Sequence, residues 1–155
     1  MSRPRPLTAG QPRPTNTVVL LRDAYLALND LVITRLAERG HQVVRAAHGA
    51  VFQHLDDTGT TVSTLAARAQ ITKQAMAELV QHLERHGYVV RVPDPADRRA
   101  KLVQPTDRGQ AVIAIAQQLV PEVERRINDV LGAARARAFR GDLQTLHDTA
   151  VREPG

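Results

Sequence analysis

Arg98 and Arg99 stand side by side at the far end of a Pro93-Asp94-Pro95-Ala96-Asp97 stretch, with Arg91 upstream and Lys101 downstream. From residue 85 to 101, Arg85, Arg91, Arg98, Arg99 and Lys101 are opposed only by Asp94 and Asp97. Guanidinium groups carried on a short loop suit phosphates and a narrow minor groove. The chemistry on offer is therefore recognition of a polyanion. Catalysis is poorly served. There is no Gly-rich phosphate loop, no serine in a recognisable nucleophile setting, and the acids are scattered at helix-surface spacing, so no enzyme is expected. Cysteine is absent, which excludes disulfides, thiolate metal sites and cysteine nucleophiles. His41, His48 and His54 invite a metal reading, since the first two are seven apart. No Asp, Glu or Cys completes a first shell beside them, and neither metal nor cofactor is expected.

These residues must be held by something. Thr61 is a natural N-cap for a helix from Val62 with Leu65 and Ala66 buried, and Gln70-Ile71 makes a turn. Thr72 caps a second helix from Lys73 to about His86, whose Met76, Leu79, Val80 and Leu83 fall at i, i+3, i+4 and i+7. Gly87 stops it. Tyr88–Val92 and Ala100–Gln104 then read as two strands around the proline-rich tip, because the segment between them cannot continue a strand. Asp97 is placed to pair with Arg99 and shape the loop, leaving Arg98 to reach outward. Helix, turn, helix and charged hairpin describe a winged helix-turn-helix in a mainly α protein. The second helix would present its first turn, Lys73 and Gln74, to base edges.

The flanks are helical. Val18, Leu21, Tyr25, Leu28 and Val32 mark a helix over 17–39 with a second apolar face on Leu20, Ala24, Ala27 and Leu31, which suggests cover on both sides. Gly40 is its stop. A helix over 42–55 follows, with Val43, Ala47, Ala50, Val51 and His54 inward, and Asp56–Gly59 turns the chain. Thr106 caps a long helix that Pro121 should kink or restart, and a last helix over 134–151 turns Ala138, Phe139, Leu143, Leu146 and Ala150 inward. This is more apolar surface than a small lobe covers, so a homodimer through the terminal helices is expected. The domain reading is an arm at 1–16 and one domain at 17–151. Within that domain, 17–40 and 106–151 form dimerisation helices and 41–105 the winged lobe. The arm, with Pro4, Pro6, Pro12 and Pro14, reads as a disordered soluble tail whose Arg3, Arg5 and Arg13 have a minor groove as their functional alternative.

The net charge of +5 lies only in residues 1–15 and 57–105. No apolar run reaches the ~18 residues of a membrane span, and the N-terminus lacks the apolar centre of a signal peptide. A cytoplasmic protein that leaves the membrane alone is expected.

The stretches TVSTLAARAQITKQAM and LVQHLERHGYVVRVPDPADRRAKLVQPTDRG resemble the MarR family of transcriptional regulators, most specifically in the DPADRR wing followed by K-L-V and T-x-x-G. The resemblance implies a dimeric repressor on palindromic double-stranded DNA, often released by a small aromatic or phenolic ligand. By position it puts Thr72, Lys73, Gln74 and Met76 on the recognition helix and Arg98 and Arg99 on the wing; Ser63, Arg91 and Lys101 are further candidates for DNA contact, with Asp97 structuring the wing. Arg22, Tyr25, His41, His48 and Phe52 are candidates for a ligand pocket. Ala77 and Glu78 depart from the Ser-Arg pair of many members, and an acid there repels phosphate. Pro105 replaces the usual Leu, and the lack of cysteine excludes thiol sensing. A second reading is a winged helix that binds an acidic protein and reads no base sequence.

Overall fold

The computed structural model describes residues 9, 10, 12 and 14–152. The arm's Pro4 and Pro6 and its Arg3, Arg5 and Arg13 lie outside them. Helix α1 (Thr17–Glu38) is capped by the Asn16 side chain, which accepts the Val19 amide. Gly40, at φ 90°, turns the chain out of it. The expected helix over 42–55 is shorter. Residues 41–45 are not helical, and a 3-10 turn (Ala46–His48) leads into the one-turn α2 (Gly49–Phe52). Arg45 is extended there (φ −114°, ψ 168°). No Ser, Thr, Asp or Asn precedes Val43 to cap an earlier start. Ala47, expected inward, is exposed.

Helices α3 (Val62–Ala69) and α4 (Lys73–Arg85) begin at Thr61 and Thr72, whose hydroxyls accept the Thr64 and Ala75 amides at 3.1 Å. Between them Gln70 adopts a left-handed conformation at φ 56°. Strands β1 (Val89–Pro93) and β2 (Lys101–Pro105) pair antiparallel, with Arg91 opposite Val103 and Pro93 opposite Lys101. Both run one residue later than expected, because Pro93 can end an outer strand without donating a hydrogen bond. Thr60 adds an unforeseen bridge on the other side of β2, exchanging two 2.9 Å backbone hydrogen bonds with Val103.

Helix α5 (Asp107–Leu131) starts at Thr106, whose hydroxyl accepts the Gly109 amide. Pro121 does not restart it; packing on both sides outweighs one lost backbone bond. Helix α6 (Ala133–Arg152) packs chiefly on α5.

The core gathers Leu36 of α1, Val44, Val51, Leu55, Leu65, Met76, Val80, Leu83, Tyr88, Val89 and Val103 with Val112, Ile115 and Leu119 of α5. Apolar side chains at the chain's ends stay outside it. Val18, Leu20 and Tyr25 of α1 and Leu146 of α6 are more than half exposed, and Phe139 is 40% exposed. The inward face expected for α6 is thus mostly open within one chain: among the described residues of this helix only Ala136 is buried, while Ala138 and Ala150 are exposed and Leu143 half-buried. The same holds for the N-terminal half of α1, where the expected cover on both sides is lacking.

Candidate nucleic-acid interface and adjoining cavity

Helix α4 presents its polar side outward because its core side is fully used. Met76, Val80 and Leu83 are buried, which leaves Gln74, Glu78, Gln81 and Arg85, at i, i+4, i+7 and i+11, as an exposed stripe on the opposite face. Thr72 and Lys73 are exposed at its N-terminal end, and Ser63 at that of α3. Met76 is 0% exposed, so it packs the lobe and presents nothing to a groove. Helical periodicity places it inward, and that outweighs its position beside Gln74.

The wing tip is a self-bonded turn. Asp94 donates its amide to the Ala100 carbonyl (3.1 Å), and its Oδ1 accepts the Ala96 amide (2.9 Å). Asp97 Oδ1 accepts the Arg99 backbone amide at 3.0 Å, and its carbonyl accepts the Ala100 amide. Asp97 thus holds Arg99 by its backbone, and no ion pair to the guanidinium is formed. An acceptor two residues before an amide closes an Asx turn, which a flexible ion pair cannot replace. Both arginines and Lys101 are exposed. Asp97→Ala is expected to weaken DNA binding about fivefold through a looser tip, with melting unchanged within about 2 °C, whereas Asp97→Asn, which keeps the acceptor, restores binding. A binding titration of the three proteins beside their melting curves checks this; equal affinity for Asp97→Ala removes the role. Arg91 points elsewhere. It is half-buried, with Nε 3.5 Å from Glu84 Oε2 of α4.

A cavity of about 420 Å³ lies between α1, the 3-10 turn, α2 and α5. Its walls are largely apolar (Val32, Ile33, Val44, Val112, Ile113, Ala116), with the rings of Tyr25 and Phe52 and polar groups from Asn29, Arg45, Gln53 and Gln117. Of the residues expected to line it, Tyr25 and Phe52 do so. Arg22 is on the outer face of α1, paired with Asp23 at 3.3 Å. His41 does not line it; its Nδ1 lies 3.0 Å from the Tyr88 hydroxyl. His48 is turned into the lobe. Arg45 was missed as the lining cation because an earlier helix start hides its extended position at the cavity's edge.

His48 is 4% exposed and stacks on His82 at 4.7 Å, which in turn meets His86 at 4.5 Å. Its Nδ1 accepts the Arg45 amide at 2.8 Å, which requires an unprotonated nitrogen. Burial first, then His82, Arg45 and His86, push its pKa down to about 4. The folded value lies below the unfolded one. Stability is therefore unaffected above about pH 6.5 and is lost progressively as pH falls from there towards 4. Between pH 7 and pH 5 the loss should be about 2 kcal/mol, or roughly 5 °C in melting temperature. His48→Leu should flatten most of that slope; an equally steep profile in the variant would contradict the assignment.

Among the described residues no group of three or more His, Cys, Asp or Glu is placed to hold a metal ion, and no helix is long and apolar enough to cross a membrane. The MarR family model matches residues 44–100, from the start of the lobe to the wing tip. Over the longer span, apo MarR from E. coli superposes with a TM-score of 0.67 at 19% identity, covering 86% of this chain and 98% of that one. The chain has the MarR fold, and its residues 44–100 match the MarR family. The wing of this MarR-like fold is the two-stranded hairpin that carries Arg98 and Arg99, and the cavity adjoins the matched segment on its α1–α5 side. The transcriptional activatory protein BadR of Rhodopseudomonas palustris is 33% identical over 87 residues, 56% of this chain and 49% of BadR; the chain thus matches about half the length of that relative. The transcriptional repressor CouR, solved bound to a 23-mer DNA duplex, is 27% identical with a TM-score of 0.66 over 88% of this chain and 93% of CouR. The PcaV regulator of Streptomyces coelicolor, solved with its natural ligand, shares the fold at 22% identity and a TM-score of 0.66 over 86% of this chain and 90% of PcaV.

Proposed function

We propose that the chain is a homodimeric transcriptional repressor that binds an inverted-repeat operator and is released by a small aromatic acid or phenol. The observation that carries the reading is the pairing of α4's exposed polar stripe with a wing tip whose Arg98, Arg99 and Lys101 are all exposed. In this reading the lobe is residues 41–105 and the dimer forms through α1, α5 and α6, whose uncovered apolar side chains need a partner. Two copies related by a two-fold axis would set two α4 helices into successive major grooves, about one helical turn apart. The wing arginines and Lys101 would meet the flanking phosphates or minor groove, Thr72, Lys73 and Ser63 the backbone, and Gln74 a base edge. Repression is the output that operator occupancy alone delivers.

For the effector, the apolar walls and the Tyr25 and Phe52 rings suit a planar aromatic body, and Arg45 suits a carboxylate. The cavity is bounded by both α1–α5 and the start of the lobe. An occupant that fits one spacing of these parts better than the other would shift the distance between the two α4 helices. The complex between CouR and DNA and the ligand complex of PcaV support the two halves of the proposal by likeness.

Selection of random duplex DNA on the purified protein tests it. Enrichment of an inverted repeat with half-site centres about ten to eleven base pairs apart is expected. Retention that is sequence-blind and vanishes by moderate salt would instead favour a winged helix that meets an acidic protein.

A further inference from the structure

The acidic residue in the middle of α4's outward stripe has no role in the proposal above. Glu78 is exposed one turn after Gln74, diametrically opposite the buried Met76, Val80 and Leu83. Among the described residues no Lys, Arg or His forms an ion pair with it. The Glu carboxylates that do pair reach elsewhere: Glu38 to Arg35, Glu84 to Arg91 and Glu124 to Arg140. Its neighbours on the stripe, Gln74 and Gln81, are neutral, and Arg85 lies two turns further along the helix. If this stripe faces DNA, an unpaired carboxylate sits among phosphates and is repelled by them at every sequence alike. One kind of contact reverses that sign. Exocyclic amino groups are the only donors on the major-groove edges of the bases, and cytosine N4 is such a donor. Adenine N6 is another, but adenine N7 beside it is an acceptor and repels the second carboxylate oxygen. Cytosine presents no acceptor beside its amine.

We infer that Glu78 is the specificity-determining residue of α4, accepting a hydrogen bond from the N4 amino group of one cytosine in each half-site. The inference rests on the DNA-binding reading. It turns the acid from a defect into a filter: on a wrong base the carboxylate gains nothing and keeps its repulsion, so sites lacking the cytosine are rejected. Gln74, one turn earlier, suits adenine N6 and N7. The half-site should therefore hold a cytosine near an adenine, spaced by one helical turn of protein along the groove.

The test is the duplex selection repeated with Glu78→Gln and Glu78→Ala, followed by titration of all three proteins on the wild-type site and on that site with its cytosine pair replaced. Wild type should prefer the cytosine site by about tenfold or more. Glu78→Gln should exchange cytosine for adenine at that position, since an amide matches adenine's donor and acceptor. Glu78→Ala should lose the preference there and bind scrambled duplex more tightly than wild type. An inverted repeat with the same base at every position for all three proteins overturns the role of Glu78 and leaves the DNA-binding reading standing. A wild type that enriches no sequence overturns both. Because Glu78 is exposed and unpaired, neither substitution should change the melting temperature by more than about 2 °C, so a lost preference reports on readout and not on folding.

Discussion

A Gly109→Ala variant is expected to melt roughly 10 °C below the wild type, a loss of at least about 3 kcal/mol. Gly109 is buried in the first turn of α5, and a Cβ there would lie 2.1 Å from the Tyr88 carbonyl oxygen and 3.2 Å from its carbon. The obstacle is backbone, which cannot turn aside as a side chain can. That same carbonyl accepts the Thr106 amide at 3.1 Å, and the Thr106 hydroxyl donates to the neighbouring Gly87 carbonyl. The Tyr88 ring is fixed as well. It is fully buried, its hydroxyl meets His41 Nδ1 at 3.0 Å, and the Arg108 guanidinium lies 4.5 Å from its centre. Threonine and glycine three residues apart thus seat α5 against the root of β1. Adding a methyl group must push α5 off the hairpin that carries the wing. Gly141→Ala in α6 is the control. Nothing lies within 4 Å of its added Cβ, so helix propensity alone should make it neutral or stabilising by up to about 1 kcal/mol. Thermal melts of the two variants decide the matter. A Gly109→Ala protein melting within about 2 °C of wild type would mean the α5–β1 seat is far softer than its geometry implies.

What could be read from the sequence was what local chemistry specifies. The caps at Thr61, Thr72 and Thr106 each act on an amide three residues away, so their types and spacing suffice. The hairpin is announced by its prolines and by Asp97, whose target amide is two residues on. Met76 shows how periodicity should be weighed: a residue on the inward stripe of a short helix cannot also serve its outward face. The cavity was less legible. His48 misses the cavity it was expected to line, and Arg45 lines it instead, because the second helix starts at Ala46, four residues later than the apolar pattern Val43-Val44 suggests. That shift turns the imidazole into the His82 stack and leaves Arg45 at the cavity wall. Thr60 joins the sheet through Val103, forty-three residues away, a pairing no local signal encodes. The terminal helices advertise their apolar faces plainly, but a sequence does not say whether the cover comes from the same chain.

Replacing Arg98 and Arg99 together by alanine should weaken binding to the selected duplex on the order of a hundredfold near physiological salt, without altering the melting temperature. Neither side chain is buried and neither takes part in an ion pair or side-chain hydrogen bond among the described residues, so folding has nothing to lose. In the proposed dimer binding loses charge twice over, because two wings are altered. Four arginines removed from phosphate contact should make the plot of log affinity against log salt shallower by about three to four. That slope separates explanations that a single affinity cannot. If the wings only shape the lobe, affinity falls and the slope stays. If they meet an acidic protein and not DNA, both stay. A paired Arg98→Lys, Arg99→Lys variant refines the outcome further, since lysine keeps the charge but lacks the planar fork and sheds its hydration less readily. Recovery of the slope with only partial recovery of affinity would place the guanidinium groups in a narrow minor groove. Full recovery of both would place them on phosphates along the groove's edge, where a point charge serves as well.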